Sequence, residues 1–70
     1  MTAHIAITVN GEGREVPAGL SVFDLLVQLN LSADRVAIER NLDILPRARW
    51  QSTLVQPGDR FEIVQFVGGG

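Results

Sequence analysis

Cysteine and lysine are both missing from this chain, histidine occurs once, and no apolar run comes near membrane-spanning length. Each absence removes a class of chemistry. Without cysteine there are no disulfides, no thiolate metal sites, and no thioester or persulfide on a side chain. Any sulfur the protein carries must sit elsewhere. Without lysine there is no ε-amine to accept an isopeptide bond, so the chain cannot be assembled into lysine-linked chains of itself. A catalytic dyad or triad needs a base beside a nucleophile, and the only histidine, His4, opens a strand-like segment and reads as a surface residue. No membrane association is expected, because a spanning helix needs about 20 predominantly apolar residues.

Charge of either sign is also modest: eight acids stand against six bases, giving a net charge of −2. Arg14, Arg35, Arg40, Arg47, Arg49 and Arg60 are spread along the chain, which argues against a nucleic-acid partner. The carboxylates of Glu12, Glu15, Asp24, Asp34, Glu39, Asp43, Asp59 and Glu62 lack metal-ligand spacing, so no metal site is expected, and Asp24 and Asp59 have local capping or turn roles. Gly11 and Gly13 give a G-x-G, but Arg14 then opens a strand and no helix follows to cradle a phosphate. The start, Met1-Thr2-Ala3-His4, has no basic leader region, and a cytoplasmic location is expected.

What is present is one small domain. Seventy residues with 46% hydrophobic content support a real core but leave little for a deep catalytic cavity, so the protein is not expected to be an enzyme itself. Ile5, Ile7 and Val9 alternate along a first strand, Asn10-Gly11-Glu12-Gly13 supplies a turn, and Arg14 to Pro17 returns as a hairpin. Ser21 with Asp24 three residues on is a capping-box start, and Val22, Leu25, Leu26 and Leu29 form the stripe of a helix running to Asn30. Phe23 and Val27 lie off that stripe and flank the core. Arg35 to Arg40 reads as a strand, Asn41-Leu42-Asp43 as a turn, and Ile44-Leu45 as a short strand closed by Pro46. A single helical turn fits Arg47 to Trp50, with the tryptophan as a lid on the core and Arg47 its solvated neighbour. Pro57-Gly58 turns the chain into a last strand, Arg60 to Val67. The fold class is therefore α+β: a roll with a mixed sheet of four to five strands and one main helix across one face.

The last strand is apolar on both faces. Phe61, Ile63, Gln65 and Val67 point one way, and Arg60, Glu62, Val64 and Phe66 the other. One helix covers one face only, so Val64 and Phe66 are expected to form an exposed patch where a partner docks. Directly behind it stand Gly68, Gly69 and Gly70. Residues 1–67 are read as the folded domain and 68–70 as a flexible tail. At average glycine usage, three terminal glycines arise by chance in about one chain in three thousand. A side-chain-free thread reaches roughly 10 Å when extended, enough to present the Gly70 carboxylate inside another protein's site.

Together, Ile44-Leu45-Pro46-Arg47 with Trp50 three residues on, the Pro57-Gly58-Asp59 turn, the strand Glu62-Ile63-Val64 and the terminal glycines resemble the ThiS family of thiamine-pathway sulfur carriers. The likeness spans the whole chain; Leu42 in a turn and the extra Gly68 depart from the pattern. The resemblance implies a ubiquitin-like β-grasp fold and a cycle centred on Gly70. An E1-like adenylating enzyme uses ATP to convert the Gly70 carboxylate to an acyl-adenylate. Sulfur from a cysteine desulfurase then replaces AMP, and thiazole synthase takes sulfur from the resulting thiocarboxylate. Gly68 and Gly69 would be the slender approach, and no cofactor would be bound by the chain itself. A terminal Gly-Gly is shared with the small subunit of molybdopterin synthase and with ubiquitin. A carrier for another pathway, a protein modifier, and a binding module with an inert tail therefore stay open at the level of sequence.

Overall fold

The computed structural model describes residues 3–66, which form five strands and one α-helix. Strand β1 (His4–Val9) pairs antiparallel with β2 (Glu12–Pro17) in a register that sets Val9 opposite Glu12. That register leaves Asn10 and Gly11 as a two-residue loop, and both take positive φ, 51° and 81°. This is the primed turn that matches strand twist, and Asn-Gly is its preferred dipeptide. Because the loop closes so tightly, β2 begins at Glu12, two residues earlier than the sequence pattern suggests.

Helix α1 (Val22–Gln28) starts where the capping box predicts: the Asp24 N–H donates to Ser21 Oγ at 3.0 Å, and the Ser21 N–H donates to Asp24 Oδ2 at 3.2 Å. Two further first-turn donors are taken up by the loop that packs beside it, Val22 N–H by Thr53 O and Phe23 N–H by Trp50 O. The helix ends at Gln28, two residues short of the expected limit, and Asn30 follows at φ 63°. Its apolar stripe holds, with Val22, Leu25 and Leu26 buried. Phe23 packs partly buried against the core, whereas Val27 is exposed.

A 3₁₀ turn (Ala33–Arg35) leads into β3 (Val36–Arg40), which folds back through Asn41 and Leu42 to the two-residue β4 (Asp43–Ile44). The short strand therefore starts at Asp43, one residue before the expected Ile44-Leu45 pair, and Leu45 leaves it to pack against the core. A second 3₁₀ turn (Arg47–Arg49) places Trp50, which is buried and donates from Nε1 to the Leu45 carbonyl at 3.0 Å. Strand β5 (Arg60–Gln65) completes the sheet, parallel to β1 and antiparallel to β3, in the order β2-β1-β5-β3-β4. The chain's last strand is thus its central one.

The core lies between α1 and one face of this sheet, built from Ile7, Val9, Val16, Val36, Ile38, Phe61 and Ile63 of the strands, Val22, Leu25 and Leu26 of the helix, and Trp50 and Val55. Phe61, Leu25, Leu26, Ile38 and Val22 are the most completely enclosed, each contributing about 1.5–3 kcal/mol of transfer free energy. Gln65, at the inward register of β5, is exposed. No helix among the described residues is long and apolar enough to cross a membrane.

Candidate functional site

The end of β5 is held from three sides. Asn10 stands just past the end of β1, where its side chain continues the ladder: Oδ1 accepts from the Ile63 N–H at 2.8 Å and Nδ2 donates to the Ile63 carbonyl at 3.2 Å. On the other flank β3 pairs with β5 from Arg40 opposite Phe61 to Val36 opposite Gln65. Beyond the strand, the Phe66 N–H donates to the Arg35 carbonyl at 2.7 Å. The backbone is therefore anchored as far as Phe66. Val67 and the glycines Gly68, Gly69 and Gly70, on which the tail reading rests, lie outside the described residues.

The start of β5 is fixed by a buried carboxylate. Asp59 is 4% exposed. Its Oδ2 accepts from the Gln56 N–H at 2.8 Å and from Arg40 Nε at 2.9 Å, and its Oδ1 accepts from Asn41 Nδ2 at 3.1 Å. Burial by itself pushes this carboxyl up. The hydrogen bonds from Gln56, Arg40 and Asn41, with the Arg40 charge, outweigh burial and hold it below the ordinary carboxylate value. The local turn role expected of Asp59 is present, but the side chain also ties that turn to the β3–β4 loop. Nothing in the sequence spacing marks Arg40 as its partner, since the two are 19 residues apart.

With one face of the sheet covered by α1, the other is open. Val64 is 60% exposed and Phe66 56%. Val64 sits opposite Ala37, and with Ile44, Glu39 and Glu62 it lines a shallow depression of about 170 Å³. Phe66 does not line it. Ile44, 78% exposed, and Leu42, 81% exposed, extend the apolar surface along the β3–β4 edge. Ile44 falls in the expected short strand, and the only sequence signal for its exposure is its place in so short an edge strand, where one residue has no covering layer.

Among the described residues the remaining groups form no second chemical centre. His4 is exposed at the start of β1. Arg47 lies 6.0 Å from the centre of the Trp50 ring and pairs with Asp34 on the surface. Arg47 and Trp50 join Phe23, Ala48 and Gln51 around a second depression of about 200 Å³, whose lining holds no nucleophile or general base. Among the described residues no group of three or more His, Cys, Asp or Glu side chains is placed to hold a metal ion.

The strand order, the parallel β1–β5 pair at the centre and the single helix across one face define a β-grasp domain. The ThiS family pattern matches residues 7–70, and the chain belongs to that family. It is similar to the sulfur carrier protein ThiS of Escherichia coli, 34% identical over 91% of this chain and 97% of that one. A thiamine biosynthesis protein, ThiS, from Geobacter metallireducens superposes with a TM-score of 0.78 at 37% identity, covering 94% of this chain and all of the other. The chain also resembles part of a thiazole synthase of Paramagnetospirillum magneticum, 42% identical over 91% of this chain. There it spans only about a fifth of the relative's length, 20%.

Proposed function

We propose that the protein is a sulfur carrier for thiazole formation in thiamine biosynthesis, acting in the cytoplasm as a co-substrate of other enzymes. The observation that carries this reading is the family match extending through Gly70, on a domain whose sheet leaves Ile44, Val64 and Phe66 exposed toward the end of β5. The reacting group is the Gly70 carboxylate. At neutral pH a carboxylate is a poor electrophile, so a partner adenylating enzyme of the E1 type joins it to AMP from ATP, releasing pyrophosphate. Hydrosulfide then attacks the acyl carbon and expels AMP, leaving a thiocarboxylate; where a cysteine desulfurase supplies the sulfur as a persulfide, the attack expels AMP to give an acyl disulfide, whose S–S bond a thiol reductant then cleaves to release the thiocarboxylate. Thiazole synthase is the acceptor. The occurrence of a similar segment within thiazole synthases supports that assignment over a molybdopterin carrier or a protein modifier. Gly68 and Gly69 are the narrow approach, and the surface around Val64 and Phe66 is where partners dock.

Incubation with the adenylating enzyme, ATP and hydrosulfide is expected to raise the intact mass by about 16 Da, one oxygen exchanged for sulfur. The same incubation of a chain lacking Gly70 is expected to leave its mass unchanged. A full-length protein that gains nothing, or a shortened one that gains the same increment, overturns the reading.

A further inference from the structure

The open sheet face carries a local conflict. Glu39 and Glu62 are direct register partners on neighbouring strands β3 and β5, and both are exposed. Like charges placed opposite each other across a strand pair destabilise the sheet. Nothing within the described residues relieves this: the ion pairs there are Arg40–Asp59 and Arg47–Asp34. Arg60 lies two residues from Glu62 on the same strand face without entering an ion pair. The acid pair is also set in apolar surroundings. Ile44 is the β4 partner of Glu39, Ala37 and Val64 form the next register pair on the same sheet face, and these residues, with Ile38 beneath, line the shallow 170 Å³ depression.

We infer that the Glu39–Glu62 pair receives an arginine side chain from the surface of thiazole synthase, with Ile44 and Val64 packing against apolar residues around it. A guanidinium is planar and offers five donors, so one group bonds two carboxylates at once, and its weak hydration lowers the cost of bringing it onto an apolar patch. Docking then removes the repulsion that the free domain carries and buries the aliphatic rim. The acid pair supplies selectivity as well: a surface with an acidic or uncharged residue at that point leaves two carboxylates desolvated and unpaired. The inference rests on the sulfur-carrier reading for its choice of partner, since similar segments occur within thiazole synthase chains.

The test is the dissociation constant for thiazole synthase of the same organism, measured at low and high salt for three proteins. These are the natural chain, the double variant E39Q/E62Q, and E12Q/E15Q, which removes the same charge from the distant strand β2. E39Q/E62Q is expected to bind about tenfold more weakly at low salt, with most of the salt dependence gone, and to melt no lower than the natural chain. E12Q/E15Q is expected to stay within about twofold. Equal binding by E39Q/E62Q, equal weakening by both variants, a lowered melting temperature for E39Q/E62Q, or no binding by the natural chain overturns the inference. The mass gain at Gly70 is read without thiazole synthase present, so failure here and failure of the carrier reading are told apart.

Discussion

Asp59 shows how one side chain can organise the approach to the central strand of a sheet. Its carboxylate faces Arg40, Asn41 and the Gln56 N–H, and its main-chain carbonyl accepts from the Thr8 N–H at 3.0 Å, so β1, the β3–β4 loop and the turn before β5 meet at one residue. In Asp59→Asn the Arg40 guanidinium keeps its partly buried place and loses its counter-charge. The expected cost is about 2 kcal/mol at neutral pH, or roughly 8–16 °C in melting temperature for a domain of this size. The pH dependence has a definite sign. Because the folded-state pKa is lowered, the contribution is full above the unfolded value and is lost as pH falls through the folded one. The gap between Asp59→Asn and the natural protein, measured by thermal melts across pH, should therefore narrow below about pH 4. A constant gap would show that the carboxylate's charge is not what holds the knot.

Among the elements, the two hairpins make an instructive contrast. Both close through two-residue loops with positive φ at each position, Asn10-Gly11 in the first and Asn41-Leu42 in the second. The first uses residues suited to that backbone. In the second, Leu42 sits at φ 75° with its side chain 81% exposed, so it pays left-handed strain with little packing in return. Leu42→Gly is therefore expected to raise stability by about 1 kcal/mol, read as an upward shift in the denaturation midpoint; a fall would mean that the leucine packs in the free protein. The sequence carried much of this level. The alternation of Ile5, Ile7 and Val9, the Ser21–Asp24 box and the Leu25–Leu26 stripe are local signals, and all three lead to the elements observed. Leu42 was conspicuous for the same local reason. What local pattern could not convey was the pairing: that β5 would lie between β1 and β3, that Asn10 would reach Ile63 and Asp59 would reach Arg40. Those contacts are set by topology across 53 and 19 residues. Strand limits slipped by one or two residues where a tight loop or a short helix fixed them.

At the scale of the whole molecule, the division of labour follows from the sheet. One face is spent on the core with α1 and Trp50; the other is left with Ile44, Val64, Glu39 and Glu62 along β3, β4 and β5. Asn10 and β3 hold β5 on both flanks, and the Phe66–Arg35 hydrogen bond carries that order to the last residue described. The face was legible in part: Val64 and Phe66 were marked by alternation along the last strand, whereas Ile44 and the facing acids became visible only once the register of β3 against β5 and β4 was known.

The central claim is that sulfur rides on the Gly70 carboxyl group. Its most direct test is fragmentation mass spectrometry of the protein isolated from its own cells during growth without thiamine. The account predicts a fraction of molecules whose C-terminal fragment is heavier by about 16 Da, with every fragment that excludes Gly70 unchanged. Sulfur found on any other residue, or C-terminal fragments that stay unmodified while the cells make their own thiamine, would contradict it.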